Sequence, residues 1–203
     1  MNFLQKRILS FLFYIAPLGV FSQSSSVSAM ISNNVASFPV TGYPQLFYSQ
    51  FHPGIDVAKS WKINKSEKHQ LWAAANVGVF YHRFVQTGLK IYPSVDYKYS
   101  ACKRLRLNIG LGLGYLHSFE DYEVFKLKDG GGFEQKKIWI GRPQFLAALD
   151  WGCDYKLKKD AENPPLLVLQ FRTNIQGPYV NNYVPILPVN SFLIGITLPL
   201  IKK

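Results

Sequence analysis

Hydrophobic and polar positions alternate one by one along most of the chain. The clearest run covers residues 105–115, where every odd position is large and apolar and every even position is polar or glycine. A period of two indicates a β-strand, because successive side chains of a strand point to opposite faces of its sheet. The same pattern predicts further strands at 55–63, 71–81, 89–99, 144–155, 167–176 and 192–200.

The connections between these strands sort by length. The shorter ones (64–69, 100–104 and 158–165) meet at one end, called here the turn end, and the longer ones (119–137 and 177–188) meet at the other, the loop end. Strands of about 10 residues joined in this way are typical of an up-and-down membrane barrel, whose strand number is usually even. We therefore predict an additional first strand within 35–50, although Pro39 and Pro44 disturb the pattern there.

Alternation alone fits two kinds of barrel, a soluble lipocalin-like barrel and a membrane barrel. The polar face decides between them, because it is rich in small residues such as Gly110, Gly112 and Gly114. Glycine weakens a strand that faces water, but in a narrow lumen it makes room for a bulky neighbour such as Tyr92, if the two strands pair. We therefore predict an all-β protein, a closed antiparallel up-and-down transmembrane β-barrel of about eight strands. Aromatic residues at strand ends favour the same fold, as a girdle at the membrane interface; they are Trp61, Tyr81, Tyr97, Tyr99, Tyr115, Trp151 and Tyr155.

The N-terminus has the composition of a signal peptide. Lys6 and Arg7 precede the apolar run 8–21, and small residues support cleavage before Gln23. A retained N-terminal anchor helix is the competing interpretation. We predict three regions and export to the outer membrane by the general secretory pathway. The regions are a signal peptide at 1–22, a flexible mature N-terminus at 23–34 and the outer-membrane barrel domain at 35–203.

The chain has few charged residues, and most of those it has are basic. Hydrophobic residues make up 48% and charged residues 17%, with a formal net charge of +11. The lysines are scattered through turns rather than along one helix face, which argues against nucleic acid as a partner. We expect membrane lipid and lipopolysaccharide as partners, the barrel-assembly machinery during biogenesis, and a monomer. The spacing of Cys102 and Cys153 is not that of a metal site, and export to an oxidising compartment would permit a disulfide between them.

Three histidines mark the loop end. His52 precedes one predicted strand, and His82 and His117 follow two others. One interpretation is a polar binding site at the barrel mouth for an anionic or sugar-like ligand, or a metal. The other is a hydrogen-bonded rim that holds the loops. We assign no catalytic, cofactor-binding or metal residue and expect no cofactor. The candidate binding residues are His52, His82, Arg83, His117, Ser118 and Arg142.

Two other functions stay open. Lipid A deacylases of the outer membrane use a His and a Ser two positions apart on one strand face, whereas here His117 and Ser118 are adjacent and would face opposite sides. We therefore expect a protein without enzymatic activity. A narrow solute channel would need an open lumen, but inward-facing charges of both signs predict ion pairs that fill it. Those charges are Asp56, Lys62, Lys90, Asp96, Arg106, Asp150, Asp154 and Arg172.

Four segments resemble the small outer-membrane β-barrel proteins that are common in Bacteroidota. They are FPVTGYPQLFYSQFHPG from residue 38, VFYHRFVQ from 79, GLGLGYLHS from 110 and NYVPILPVNSFLIGITLPL from 182. The resemblance covers the mature chain and implies an outer-membrane barrel. It implies no particular activity.

Overall fold

The computed structural model describes residues 24–120, 125–127, 130–135, 140–158, 163–179 and 184–200, so the predicted signal peptide lies outside the described residues. One helix and ten strands are present in that part of the chain. They are β1 Ser25–Ala36, α1 Pro39–Tyr48, β2 Pro53–Lys62, β3 His69–His82, β4 Gln86–Ser100, β5 Leu105–Glu120, β6 Phe125–Leu127, β7 Phe133–Gln135, β8 Arg142–Lys156, β9 Leu166–Gly177 and β10 Leu187–Leu200.

Eight of these strands form a closed barrel. Each pairs antiparallel with its neighbour, in the order β1-β2-β3-β4-β5-β8-β9-β10, and β10 pairs back with β1. The two remaining strands, β6 and β7, form a hairpin within the long connection at the loop end. The predicted closed antiparallel up-and-down barrel of eight strands is confirmed. No helix in the described ranges is long and apolar enough to cross a membrane.

The first strand differs from the prediction. It is β1, Ser25–Ala36, whereas most of the segment 35–50 forms α1, so residues 25–34 belong to the barrel and are not a flexible N-terminus. The outward face of β1 includes Ser25, Ala29 and Asn33, so its apolar alternation is weaker than that of the other strands. Pro39 stands at the first helical position, where a missing N–H costs nothing.

The barrel is apolar outside and mainly polar inside, although its interior also holds a small apolar cluster that includes Phe80, Leu116 and Leu146. Most of its outward side chains are large and more than a third exposed, as at Ile55, Ile91, Leu111 and Leu113. Side chains of the opposite parity are buried. They include Ser28, Ser32, Ser60, Gln70, Asn76, Ser94, Gln144, Asn174, Gln176, Ser191 and Thr197. Soluble barrels have the reverse arrangement, with the polar face in water.

The glycine row has the role that its pattern predicted. Strands β4 and β5 pair, and a Cβ added at Gly112 would lie 2.6 Å from Cδ2 of Tyr92, while Gly114 packs against the Cβ of the same tyrosine. The Tyr92 ring is thereby fully buried inside the barrel. The two cysteines, Cys102 and Cys153, are free thiols.

Candidate functional site

Two of the predicted site residues meet at the loop end. The rings of His52 and His82 stack, with centroids 3.8 Å apart and an interplanar angle of 11°. Nδ1 of His52 lies 3.0 Å from the carbonyl oxygen of Asn34, and the backbone N–H of Ala36 donates to Nε2 of His82 at 3.2 Å. The pair therefore joins the loop ends of β1, β2 and β3. This is the contact expected of a rim that holds the loops.

The position of His82 favours its neutral form. It lies at the rim, beyond the apolar band that β3 presents over 71–81. Burial lowers the pKa of His82, and the neighbouring His52 ring lowers it further, while two backbone hydrogen bonds act in the opposite direction. The geometry agrees, since an Nε2 that accepts the Ala36 N–H carries no proton.

His117 is not part of this pair. It lies on the outward face of β5, where Nδ1 is 2.6 Å from the hydroxyl of Tyr115 and Nε2 is 2.9 Å from the carbonyl oxygen of Ile140. His52 and His82 have the inward parity of their strands. The expectation that three histidines gather at one mouth is thus met for two of them.

Ser118 and Arg142 form a third group. They are register partners across β5 and β8, and their side chains face inward. The amide of Gln144 donates to Oγ of Ser118 at 2.9 Å. Arg142 forms an ion pair with Glu120 and donates to the carbonyl oxygen of Tyr179 at 2.6 Å. These contacts tie the ends of β5, β8 and β9 together.

Arg83 is the most solvent-directed of the six predicted residues. It lies in the three-residue turn between β3 and β4, with its guanidinium 4.6 Å from the ring centroid of the exposed Phe84. A guanidinium stacked on a ring keeps its edge available for an anion. This pair is the feature of the rim best placed to meet a ligand.

A hydrolase like the lipid A deacylases would need a hydroxyl and an acidic group beside His117, and the hydroxyl of Tyr115 is within reach. The rest of the expected site does not follow. Nε2 of His117 is engaged by a carbonyl oxygen instead of the carboxylate that orients a catalytic base, and Ser118 faces the interior. Glu120 is occupied by Arg142. The described residues therefore do not assemble a nucleophile, base and acid at His117.

The middle of the barrel is filled by an ion network centred on Arg172. Its Nη1 lies 2.6 Å from Asp56 and its Nε lies 2.5 Å from Asp150. Lys90 reaches Asp56 at 2.8 Å, and the Arg172 guanidinium stands 5.6 Å from the ring centroid of Tyr92. Arg172, Lys90 and Tyr92 are each at most 1% exposed, so this layer closes the lumen.

A second group lies nearer the turn end. Asp154 accepts from Arg106 at 3.0 Å, from Lys98 at 3.3 Å and from Asn108 at 2.9 Å. A cavity of about 40 Å³ separates it from the Arg172 layer, and a wider cavity of about 290 Å³ lies toward the turn end. The smaller cavity has room for water and for little more. The predicted filling of the lumen by ion pairs is what the described residues show.

Two buried amides lie just below the rim, outside the set of six predicted binding residues. Gln86 and Gln176 have the inward parity and are almost wholly buried, and neither side-chain amide has a hydrogen-bond partner. Strand order and parity place both residues at the loop end, but the sequence does not show that their amides lack hydrogen-bond partners. In the described ranges, no three His, Cys, Asp or Glu side chains stand close enough to hold a metal ion.

The chain is similar in fold to small outer-membrane barrels of known structure. Neisserial surface protein A has a TM-score of 0.54 at 15% identity, over 86% of this chain and 96% of that one. The N-terminal barrel domain of Pseudomonas aeruginosa OprF has 0.48 at 13%, over 87% and 98%, and Yersinia pestis Ail has 0.42 at 11%, over 87% and 97%. No protein-family model and no curated protein sequence matches the chain. At this identity the first likeness supports the fold alone.

Proposed function

We propose that this chain is an integral outer-membrane β-barrel without enzymatic activity, whose loop-end rim and loops bind a ligand at the cell surface. One observation carries the membrane placement: an apolar outer wall surrounds a lumen in which most side chains are polar or charged. In water such a wall would expose a very large apolar surface, whereas in a bilayer the same surface contacts the apolar acyl chains of the lipid. The segments that resemble Bacteroidota barrels support the same placement.

The turn end supports this placement through a basic aromatic belt on the outward face. Lys59 stands 5.6 Å from the Trp61 ring centroid and Lys68 stands 5.8 Å from that of Tyr99. Arg104 donates to the hydroxyl of Tyr155 at 3.1 Å. Aromatic rings prefer the headgroup level, and cations beside them favour anionic lipid. The belt thus fits a membrane interface at the periplasmic side.

The membrane placement is tested by the behaviour of the full chain. The native barrel is expected to migrate differently in detergent gels before and after boiling, and to sediment with outer membranes. A chain recovered from the soluble periplasm, with no shift on boiling, would contradict the placement.

For the ligand, the rim offers one exposed cation stacked on a ring and a partly neutralised second one. Arg83 lies on Phe84, and Arg142 is paired with Glu120. Planar guanidinium groups bind carboxylate, sulfate and phosphate in two-point contacts. An anionic surface polysaccharide or the lipopolysaccharide headgroup is the class of ligand that this chemistry favours.

This ligand class is tested with dextran sulfate, using neutral dextran as the control. Arg83→Gln is expected to weaken dextran sulfate binding by the detergent-solubilised barrel. Lys68→Gln removes one exposed cation at the turn end and should leave binding close to that of the parent. Equal loss in both variants would indicate attraction by net charge, and no loss in Arg83→Gln would remove Arg83 from the proposed site.

A further inference from the structure

The helix α1 lies on the outside of the barrel wall. Beneath it, Val35, Asn190 and Thr173 form one outward-facing row across β1, β10 and β9. These three side chains are only 6%, 0% and 4% exposed, while outward side chains elsewhere on the barrel are commonly 40–70% exposed. The helix therefore covers a patch of the wall.

The covered patch is polar where the rest of the wall is apolar. The indole N–H of Trp151 donates to the Tyr43 hydroxyl at 3.1 Å, and that hydroxyl lies 2.7 Å from Oγ1 of Thr173. Thr173 donates to Asn190 at 2.8 Å, and the Asn190 amide donates to the carbonyl oxygen of Ser37 at 2.7 Å. Each side chain in this series of hydrogen bonds therefore has a partner in α1, in Ser37 just before it, or in the wall.

Two further contacts hold α1 against the wall. Asn33 donates to the carbonyl oxygen of Leu46 at 2.8 Å, near the C-terminal end of the helix. At Gly42 the approach is so close that an added Cβ would collide with the Asn190 amide. The docking is therefore specific in position, and it encloses side chains that are costly to leave unpaired in hydrocarbon.

The exposed surface of α1 and of the residues that flank it is uncharged and carries four aromatic side chains. Phe38, Phe47, Tyr48 and Phe51 are 77%, 67%, 74% and 62% exposed. Residues 37–51 contain no charged side chain, in a chain whose formal net charge is +11. A solvated surface helix would carry charges on this face. An aromatic face without charge is suited to the lipid interface.

We propose that α1 is an intramembrane helix whose outer face contacts the acyl chains of the loop-end leaflet. The proposal rests on the proposed membrane placement. The occupant is lipid because the aromatic face is continuous with the apolar wall: Phe47 packs on Phe171 and Phe192, with centroids 6.3 and 5.6 Å away, and both belong to outward faces of the barrel. The helix thus widens the lipid-facing surface and screens the polar row from hydrocarbon.

The test is nitroxide accessibility in phosphatidylcholine vesicles, using the full chain with Cys102→Ser and Cys153→Ser. One label is placed by Tyr48→Cys on α1, and Phe51→Cys repeats the measurement just beyond the helix. Ile109→Cys on the outward face of β5 is the lipid control, and Gly130→Cys in the exposed β6–β7 turn is the water control. Heat-modifiable gel mobility checks that each labelled barrel is folded.

The expected result is that labels on α1 collide with dissolved oxygen more than with a water-soluble nickel chelate, as at position 109. A chelate-dominated signal, as at position 130, would overturn the proposal while position 109 still supports the membrane barrel. Exclusion of both reagents from Tyr48→Cys and Phe51→Cys would mean that protein covers the helix, which also overturns it. If position 109 itself is open to the chelate, the membrane placement fails with it.

Discussion

Arg172 is the side chain on which the interior depends most. It separates the carboxylates of Asp56 and Asp150, and Lys90 neutralises Asp56 from the other side. All four side chains are buried, so their charges are compensated mainly by one another and not by bulk water. A buried ion pair adds little net stability over an apolar pair of the same shape, but removing one partner leaves an unpaired charge.

We expect Arg172→Met to lower the free energy of unfolding by about 3–5 kcal/mol, because Asp150 would lose its ion-pair partner and Asp56 would keep only Lys90. Urea titration of the barrel in vesicles measures this change. Arg83→Met removes an exposed arginine of the same size and should change stability by less than about 0.5 kcal/mol. Equal changes in the unfolding free energy of the two variants would show that Arg172 contributes no more to stability than an exposed arginine does.

The His52–His82 stack predicts a pH dependence at the rim. The pKa of His82 is lowered by burial and by His52, so stability linked to this group is present above the ordinary histidine pKa and is lost as pH falls through the lowered value. NMR titration should place the midpoint of His82 below that of an exposed histidine, and His52→Gln should raise it. A His82 midpoint above the ordinary value would contradict this interpretation.

At the scale of elements, β4 and β5 show how sequence specifies register. Tyr92 fits inside the barrel because Gly112 and Gly114 stand opposite it, so large and small residues interlock across the two strands. A slip of one residue would turn the outward-facing apolar side chains of β5 into the lumen.

We expect Gly112→Val to destabilise the barrel by about 1–3 kcal/mol, because the new side chain overlaps the Tyr92 ring. Tyr92→Ala removes the obstacle, and the double variant should be more stable than the sum of the two single effects implies. Urea unfolding of all four proteins completes the cycle. Strict additivity would show that the two residues do not meet.

Strand parity made most of the barrel strands, and the inward or outward direction of their side chains, predictable from the sequence. The alternation at 105–115 gave β5, and the same parity placed Arg172, Asp150 and Tyr92 inside. Applied strictly, it would also have separated His117 from His52 and His82, because His117 has the parity of the apolar outward positions. That signal was available in the sequence.

The helix α1 was not predictable in the same way. Pro39 and Pro44 argue against a regular element, and a 10-residue segment has little helical stability of its own. Its stability comes from the row of Asn190, Thr173 and Val35, which belongs to strands distant in sequence. Contacts of this kind leave no local pattern.

At the scale of the whole molecule, the filled lumen argues against a channel. We expect the parent barrel to give no steady conductance in planar bilayers. A variant with Asp56, Lys90, Asp150 and Arg172 all replaced by alanine removes the central layer and should conduct if it folds, which heat-modifiable mobility checks. Stable open levels in the parent protein would contradict the closed interior.

The pairing of β1 with β10 has a consequence for assembly. The first strand can pair with the last only after the last has been synthesised. Until then the barrel has two edges whose backbone N–H and C=O groups are unpaired, which is costly in hydrocarbon. Helix α1 is made early and lies across this late joint, covering Val35 of β1 and Asn190 of β10. Its binding surface is complete only when the cylinder is closed. Docking of α1 therefore requires that β1 and β10 have already paired.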